Sequence, residues 1–226
     1  MCASMRRAEL LRRIVLPLEP SLLPRSAAEF PGGVPVSAYR ETAARAQVAA
    51  VQRYLARLPE SVEVLDVAAG DGTFSRNLYG QFAFTEFRAT WIDQDSDSLA
   101  CGAEAAGFPV RRVAANLERD GWSRPIRDRR FDCALVSLLF HHVEPESYER
   151  ILRSVAELLH HDGKLLTVEV CGGLFPGVRW EDAVETILSC VDATGLQHES
   201  CVLEVSAVAG QTYTFQYLAT LARLAS

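Results

Sequence analysis

Three groups of residues in this 226-residue sequence are placed where they could do chemistry. The first is Asp66 with the small-residue turn that follows it, Ala68-Ala69-Gly70-Asp71-Gly72. Glycine lets a backbone bend through positive φ and lets a ligand approach the main chain closely. The helix expected after the turn would present free N–H groups and a partial positive charge at its start. Gly70-x-Gly72 has no third glycine two residues on, which departs from the dinucleotide G-x-G-x-x-G pattern. Asp66 would face an ammonium group better than a phosphate. The second group is Asp93 and Asn116, at what read as the ends of two further strands. The third is His141-His142, directly after another apolar run, with Glu169 in a fifth run. Imidazole titrates near neutrality and suits general-base work. A buried carboxylate needs a partner, and one of the two histidines is the obvious partner for Glu169.

The elements that must position these residues can be read in order. Val62, Val64, Leu65 and Val67 suit a strand buried on both faces. Thr73 is a candidate helix cap, with Phe74 and Leu78 on one side of the helix. Upstream, Ser37–Leu58 reads as an alanine-rich helix with Ser37 as its N-cap, and Pro59 stops it before the strand. Further strands are expected over Phe87–Ile92, Val110–Val113, Phe131–Ser137 and Lys164–Val170. Helices are expected over Ser98–Ala106, Pro145–His161 (ended by His160-His161-Asp162-Gly163) and Trp180–Thr194. Arg119–Arg130 reads as a loop or broken helix. His198–Val208 and Thr212–Leu224, joined by Ala209-Gly210-Gln211, must pair antiparallel because the connection is so short. The fold class is therefore α/β: a doubly wound, mostly parallel seven-stranded sheet with a C-terminal antiparallel hairpin.

Asp66, Gly70 and Gly72, in that order, resemble the first motif of class I S-adenosylmethionine-dependent methyltransferases. Alanines stand where the commoner form begins Gly-Cys-Gly, and an ordinary βα turn of an unrelated α/β protein would use the same small residues. Asp93, about 20 residues after the turn, matches the acidic residue that accepts hydrogen bonds from ribose hydroxyls. Asn116-Leu117 matches in kind the pair that meets the adenine amino group and packs on its ring. Phe131–Ser137 resembles the family's fourth motif, and the resemblance covers about residues 37–226. It implies S-adenosylmethionine as cofactor, bound by Tyr39, Asp66, Ala68, Gly70, Gly72, Asp93, Gln94, Asn116, Leu117 and Ser137. It also implies catalysis by His141 or His142 with Glu169, and methyl transfer to an oxygen, nitrogen or activated carbon of a small organic molecule, as in specialised metabolism. An RNA-modifying methyltransferase, or a non-methylating cyclase that keeps the cofactor, would carry the same motifs. Tyr39 also reads as a plain surface tyrosine, and His141 and His142 as a structural cap and a solvent-facing residue.

Composition narrows the partners. A net charge of −6 gives no global attraction to nucleic acid, which is not expected as a partner. Six scattered cysteines, with no C-x-x-C pair, fit a reduced cytoplasmic protein and no metal site. No apolar run is long enough to span a membrane. Residues 1–36, with an expected helix over 3–16 and a Pro-Gly-rich connector, read as an N-terminal helical appendage: a lid, a contact in a homodimer, or a tail. Residues 171–177 read as an apolar loop able to line a substrate pocket.

Overall fold

The computed structural model describes residues 29–30, 34–54, 58–170, 180–208 and 212–224. The aliphatic run before the glycine turn forms strand β1 (Ser61–Val67). Parallel strands β2 (Glu86–Asp93) and β4 (Phe131–Ser137) flank it, pairing Asp66 with Trp91 on one side and with Leu135 on the other. Strand β3 (Val110–Ala114) extends the sheet beyond β2, and β5 (Leu159–Val170) extends it beyond β4. The hairpin of β6 (Leu196–Val208) and β7 (Thr212–Leu224) adds antiparallel, with β7 against β5. The order across the sheet is β3-β2-β1-β4-β5-β7-β6, the seven-stranded arrangement expected from the sequence. Glu29–Phe30 and Val34–Pro35 form a two-residue antiparallel ladder before the first helix.

Each face of the sheet is covered by helices because the central strands are apolar on both sides. Helices α1 (Val36–Tyr54), α2 (Thr73–Gln81) and α3 (Ser96–Glu104) share one core with Val62, Val64, Trp91 and Leu135. Helices α4 (Tyr148–Glu157) and α5 (Trp180–Ala193) share the other with Leu65, Val67, Ala134 and Val136. The helices after β1 and β4 therefore lie on opposite faces, and a crevice opens between the carboxyl ends of those two strands.

Several sequence expectations shift. α1 starts at Val36, so Ser37 lies inside its first turn and not at the cap. Gly72, not Thr73, is the N-cap of α2; the Asp71 carboxylate accepts both the N–H and the hydroxyl of Thr73. Asp95 caps α3 by accepting the N–H groups of Asp97 and Ser98. The segment before α4 is a separate 3₁₀ turn, Pro145–Ser147, and α4 ends at Glu157. Its apolar side is complete by Leu158, and Leu159 already pairs with Phe131 in the sheet. His160-His161-Asp162-Gly163 is thus extended chain at an irregularity in β5, not a helix end. Arg119–Arg130 contains one 3₁₀ turn, Arg124–Ile126. The helix expected at 3–16, the loop at 171–177 and the turn at 209–211 lie outside the described residues.

The two glycines of the turn meet different demands. Both are left-handed, Gly70 at φ +53° and Gly72 at φ +73°. A Cβ on Gly72 would stand 2.0 Å from the buried Trp91 indole, whereas one on Gly70 would meet nothing within 4 Å. Gly70→Ala should therefore lose only the left-handed penalty, about 1–2 kcal/mol. Gly72→Ala adds overpacking against the core and should lose about 3–5 kcal/mol in total. Urea denaturation of the two variants measures this, and equal losses would contradict the packing assignment.

Candidate active site

The turn after β1 leaves the sheet through a left-handed alanine, Ala68 at φ +60°. It is pinned by the Ala69 N–H donating to the Ile92 carbonyl (3.0 Å) and the Gly72 N–H donating to that of Ala69 (2.7 Å). Asp93, at the end of β2, completes the hold. Its Oδ2 accepts the Gly70 N–H and its Oδ1 accepts the Asp95 N–H, both at 2.9 Å. Each of these oxygens has a second lone pair for a hydroxyl donor. Asp93 therefore does two jobs, fixing the turn and presenting a carboxylate, while the cap role falls to Asp95.

A cavity of about 530 Å³ opens above the carboxyl ends of the strands. Of the residues expected to hold a cofactor, Asp66, Ala68, Asp93, Gln94, Asn116, Leu117 and Ser137 line it. Gly70 and Gly72 stand behind this wall: Gly70 is engaged with Asp93, and Gly72 lies under Trp91. Tyr39 is also off the wall, edge-to-face with Phe215 at 5.7 Å. Burial, and after it the Glu169 charge, push the Tyr39 phenol well above its usual range.

Asn116 Oδ1 accepts the Glu118 N–H at 2.8 Å, which leaves its amide N–H groups to donate. Gln47 was not expected from sequence. It is buried on α1, lines the cavity, and donates from Nε2 to Ser137 Oγ at 2.7 Å. The Ser137 hydroxyl is thereby left to donate elsewhere. A signal existed, because Gln47, like Thr42, is a polar residue on a buried helix face otherwise made of Ala43, Ala46, Ala50 and Val51. Thr73, Phe74 and Glu118 also line the cavity without having been singled out.

The two histidines separate into different roles. Both lie on a single 3₁₀ turn, Phe140–His142, after the left-handed Leu138 (φ +55°). His141 is 8% exposed, and its Nδ1–H donates to Glu169 Oε1 at 2.6 Å. Glu169, 1% exposed, accepts two more donors, the N–H groups of Phe140 and Val170, each at 2.8 Å. His142 turns the other way. It lines the cavity, keeps an exposed side, and lies against the His141 ring with centroids 3.9 Å apart. Partial desolvation and, second, the neighbouring His141 hold its pKa below the ordinary imidazole value. Glu169 thus holds His141, and His142 is the ring in the cavity wall.

Comparison with known proteins finds a family model over part of the chain and a shared fold. Residues 64–163 match the family model described as a methyltransferase domain. No curated protein matches the chain. Three solved structures are similar at a TM-score of 0.57 each. One is the N-methyltransferase NodS of Bradyrhizobium japonicum in complex with S-adenosylhomocysteine (12% identity, covering 83% of this chain and 87% of that one). Another is a precorrin-6y C5,15-methyltransferase of Geobacter metallireducens (14%, 80% and 88%). The third is a TehB-like S-adenosylmethionine-dependent methyltransferase of Corynebacterium glutamicum (18%, 83% and 94%). At these identities the likeness is one of fold.

The cavity fits S-adenosylmethionine. Asp66 is 1% exposed, and both donors it receives, the N–H and hydroxyl of Ser75, go to Oδ2. Burial, then the negative charges of Asp93 and Asp71, push its pKa up to about 7 against the pull of the Ser75 bonds. A buried carboxylate with one oxygen left over in a cavity wall matches an ammonium group. Asp93 suits the ribose hydroxyls, and Asn116 with Leu117 suits the adenine.

In the free protein the raised Asp66 pKa lowers stability as pH rises from its ordinary range to about 7, because the unfolded chain ionises first. Binding an ammonium group requires the ionised form, so S-adenosylhomocysteine affinity should rise by up to about tenfold between pH 6 and pH 8. Asp66→Asn should bind more weakly and lose that dependence. Isothermal titration across this range checks both, and a flat wild-type profile would contradict the pairing. Residues 64–163 thus match a methyltransferase domain, the sheet order is that of the class I methyltransferase fold, and the cleft has a lining that fits S-adenosylmethionine.

Proposed function

We propose that the protein methylates an oxygen, nitrogen or activated carbon of a small organic molecule, with His142 accepting the acceptor's proton. The observation that carries this is the His142 ring in the cavity wall, backed by the buried His141–Glu169 pair. When bound, S-adenosylmethionine supplies a methyl group already activated by its sulfonium. The protein's own task is then to orient the acceptor and take its proton.

His142 suits that task because it is held neutral at physiological pH by its partly desolvated setting. Glu169 takes three N–H donors, which fixes the His141 ring, and the His141 ring in turn backs His142. Leu117, Leu138, Leu139 and Val143 give the cavity an apolar side, which favours a compact organic acceptor over a phosphate-rich polymer. The overall charge of −6 supports the same choice. Scattered cysteines, free at positions 101, 133, 190 and 201, support a cytoplasmic enzyme, and a small acceptor agrees with a role in specialised metabolism.

The test is transfer of a radiolabelled methyl group from S-adenosylmethionine to a panel of phenols, thiols and amines, with bulk RNA as a parallel substrate. A labelled small molecule is the expected product. Labelled RNA with an unlabelled panel would overturn the acceptor class. On the acceptor found, His142→Gln should lower kcat by roughly 10²–10⁴-fold while S-adenosylhomocysteine binds as before. The base works in its neutral form, so activity falls as pH drops through the His142 pKa. That depressed value puts the acid limb of the wild-type profile below the ordinary imidazole midpoint of 6.5. An acid limb at or above that midpoint, or full activity in His142→Gln, would contradict the base assignment.

A further inference from the structure

The turn that carries the two histidines is held by side chains from outside it. Its own backbone supplies the bond from the His142 N–H to the Leu139 carbonyl (2.9 Å). Immediately before it, Leu138 occupies the left-handed region, which a leucine adopts only when its surroundings hold it there. Two side chains hold Phe140, the first residue of the turn. Its N–H donates to Glu169, and its carbonyl accepts a 2.6 Å bond from the hydroxyl of Tyr148. Tyr148 opens α4, is fully buried, and packs its ring against that of Phe140 with centroids 4.9 Å apart. It lies outside the cavity wall.

We infer that Tyr148 is a positioning residue for His142: its hydroxyl, bonded to the Phe140 carbonyl, fixes the turn that aims the His142 ring into the cavity. This rests on the reading of His142 as the base and names what keeps that base in place. The phenol is suited to a permanent donor role. Burial, followed by the charge of Glu169 and the neighbouring Cys190, Glu144 and Glu146, raises its pKa, so it keeps its proton at working pH. Without the hydroxyl, a buried carbonyl is left unpaired and the turn is clamped only from the Glu169 side. The strained Leu138 can then relax, and the His142 ring can swing off its neighbour. The groups that set the charge around His142 are His141, Glu169 and Asp93, and all three remain in a Tyr148 variant.

The experiment compares wild type with Tyr148→Phe by NMR of histidine-labelled protein, with His142→Gln assigning the resonances. Wild type should show a ring-to-ring cross-peak between His141 and His142 and a His142 midpoint below that of free imidazole. Tyr148→Phe should weaken the cross-peak and move the midpoint up by roughly half a pH unit as the ring becomes better solvated. Its S-adenosylhomocysteine affinity, measured by titration calorimetry, should stay within about threefold because the cofactor residues are untouched. Restoring a donor with Tyr148→4-aminophenylalanine should bring back the wild-type pattern. Tyr148→Met, which fills the space without a hydroxyl, replaces the phenylalanine variant if that one does not fold. An unchanged cross-peak and midpoint in a folded variant would overturn the inference, as would a general loss of cofactor binding. These readings report where the imidazole stands and not whether it takes a proton. Unaltered turnover in His142→Gln would therefore sink the base assignment and leave the result on Tyr148 in place.

Discussion

The site depends on one topological constraint. The chain enters the sheet at its centre with β1, winds outward through β2 and β3, then returns to the other side of β1 with β4. Helices following β1 and β4 must cover opposite faces, so the turns leaving those strands diverge and cannot close the gap between them. The crevice is a consequence of connectivity, and the residues that do chemistry sit on the turns at its mouth. Both turns carry a non-glycine residue in the left-handed region: Ala68 after β1 and Leu138 after β4. Among the described residues these are the two non-glycine residues with positive φ. Strain of this kind, costing about 1–3 kcal/mol per residue, persists where the surroundings over-determine the backbone. Here carboxylates do the determining, Asp93 for the first turn and Glu169 for the second.

Two carboxylates, each 1% exposed, have opposite tasks. Glu169 is satisfied within the protein, with three N–H donors including the His141 imidazole. Asp66 receives donors from Ser75 on one oxygen only, and burial raises its proton affinity against the pull of those bonds. A buried carboxylate is stable when fully hydrogen-bonded and costly when it is not. Glu169 is therefore a structural fixture, and Asp66 keeps one oxygen without a protein donor on the cavity side.

The sheet was legible in the sequence because its signals are local: aliphatic runs bounded by Gly, Pro and Asp, and a C-terminal hairpin too tight to be anything but antiparallel. The cavity wall was legible because spacing places Asp66, Asp93 and Asn116 at successive strand ends. Errors arose where long-range packing decides. His160–Gly163 looks like a helix end, yet it is extended because Leu159 pairs with Phe131 across the sheet. Gly72 also carries a packing demand that its motif does not show, set by Trp91, nineteen residues away in sequence. The division of labour between His141 and His142 depends on which ring reaches Glu169, and adjacent histidines give no hint of that. Gln47 carried a readable signal, a polar residue on an alanine-rich face, and Tyr148 carried none because its partner is a backbone carbonyl.

We propose that Asp66, Asp93 and Asn116 hold S-adenosylmethionine so that its sulfonium end meets the acceptor beside His142. A crystal structure of the protein with S-adenosylhomocysteine tests it most directly. The expected structure has the ribose hydroxyls on the Asp93 carboxylate, the amino group near Asp66 and the adenine between Asn116 and Leu117, with the sulfur on the side of the cavity that His142 lines. A ligand whose ribose avoids Asp93, or whose sulfur lies on the side away from His142, would contradict it.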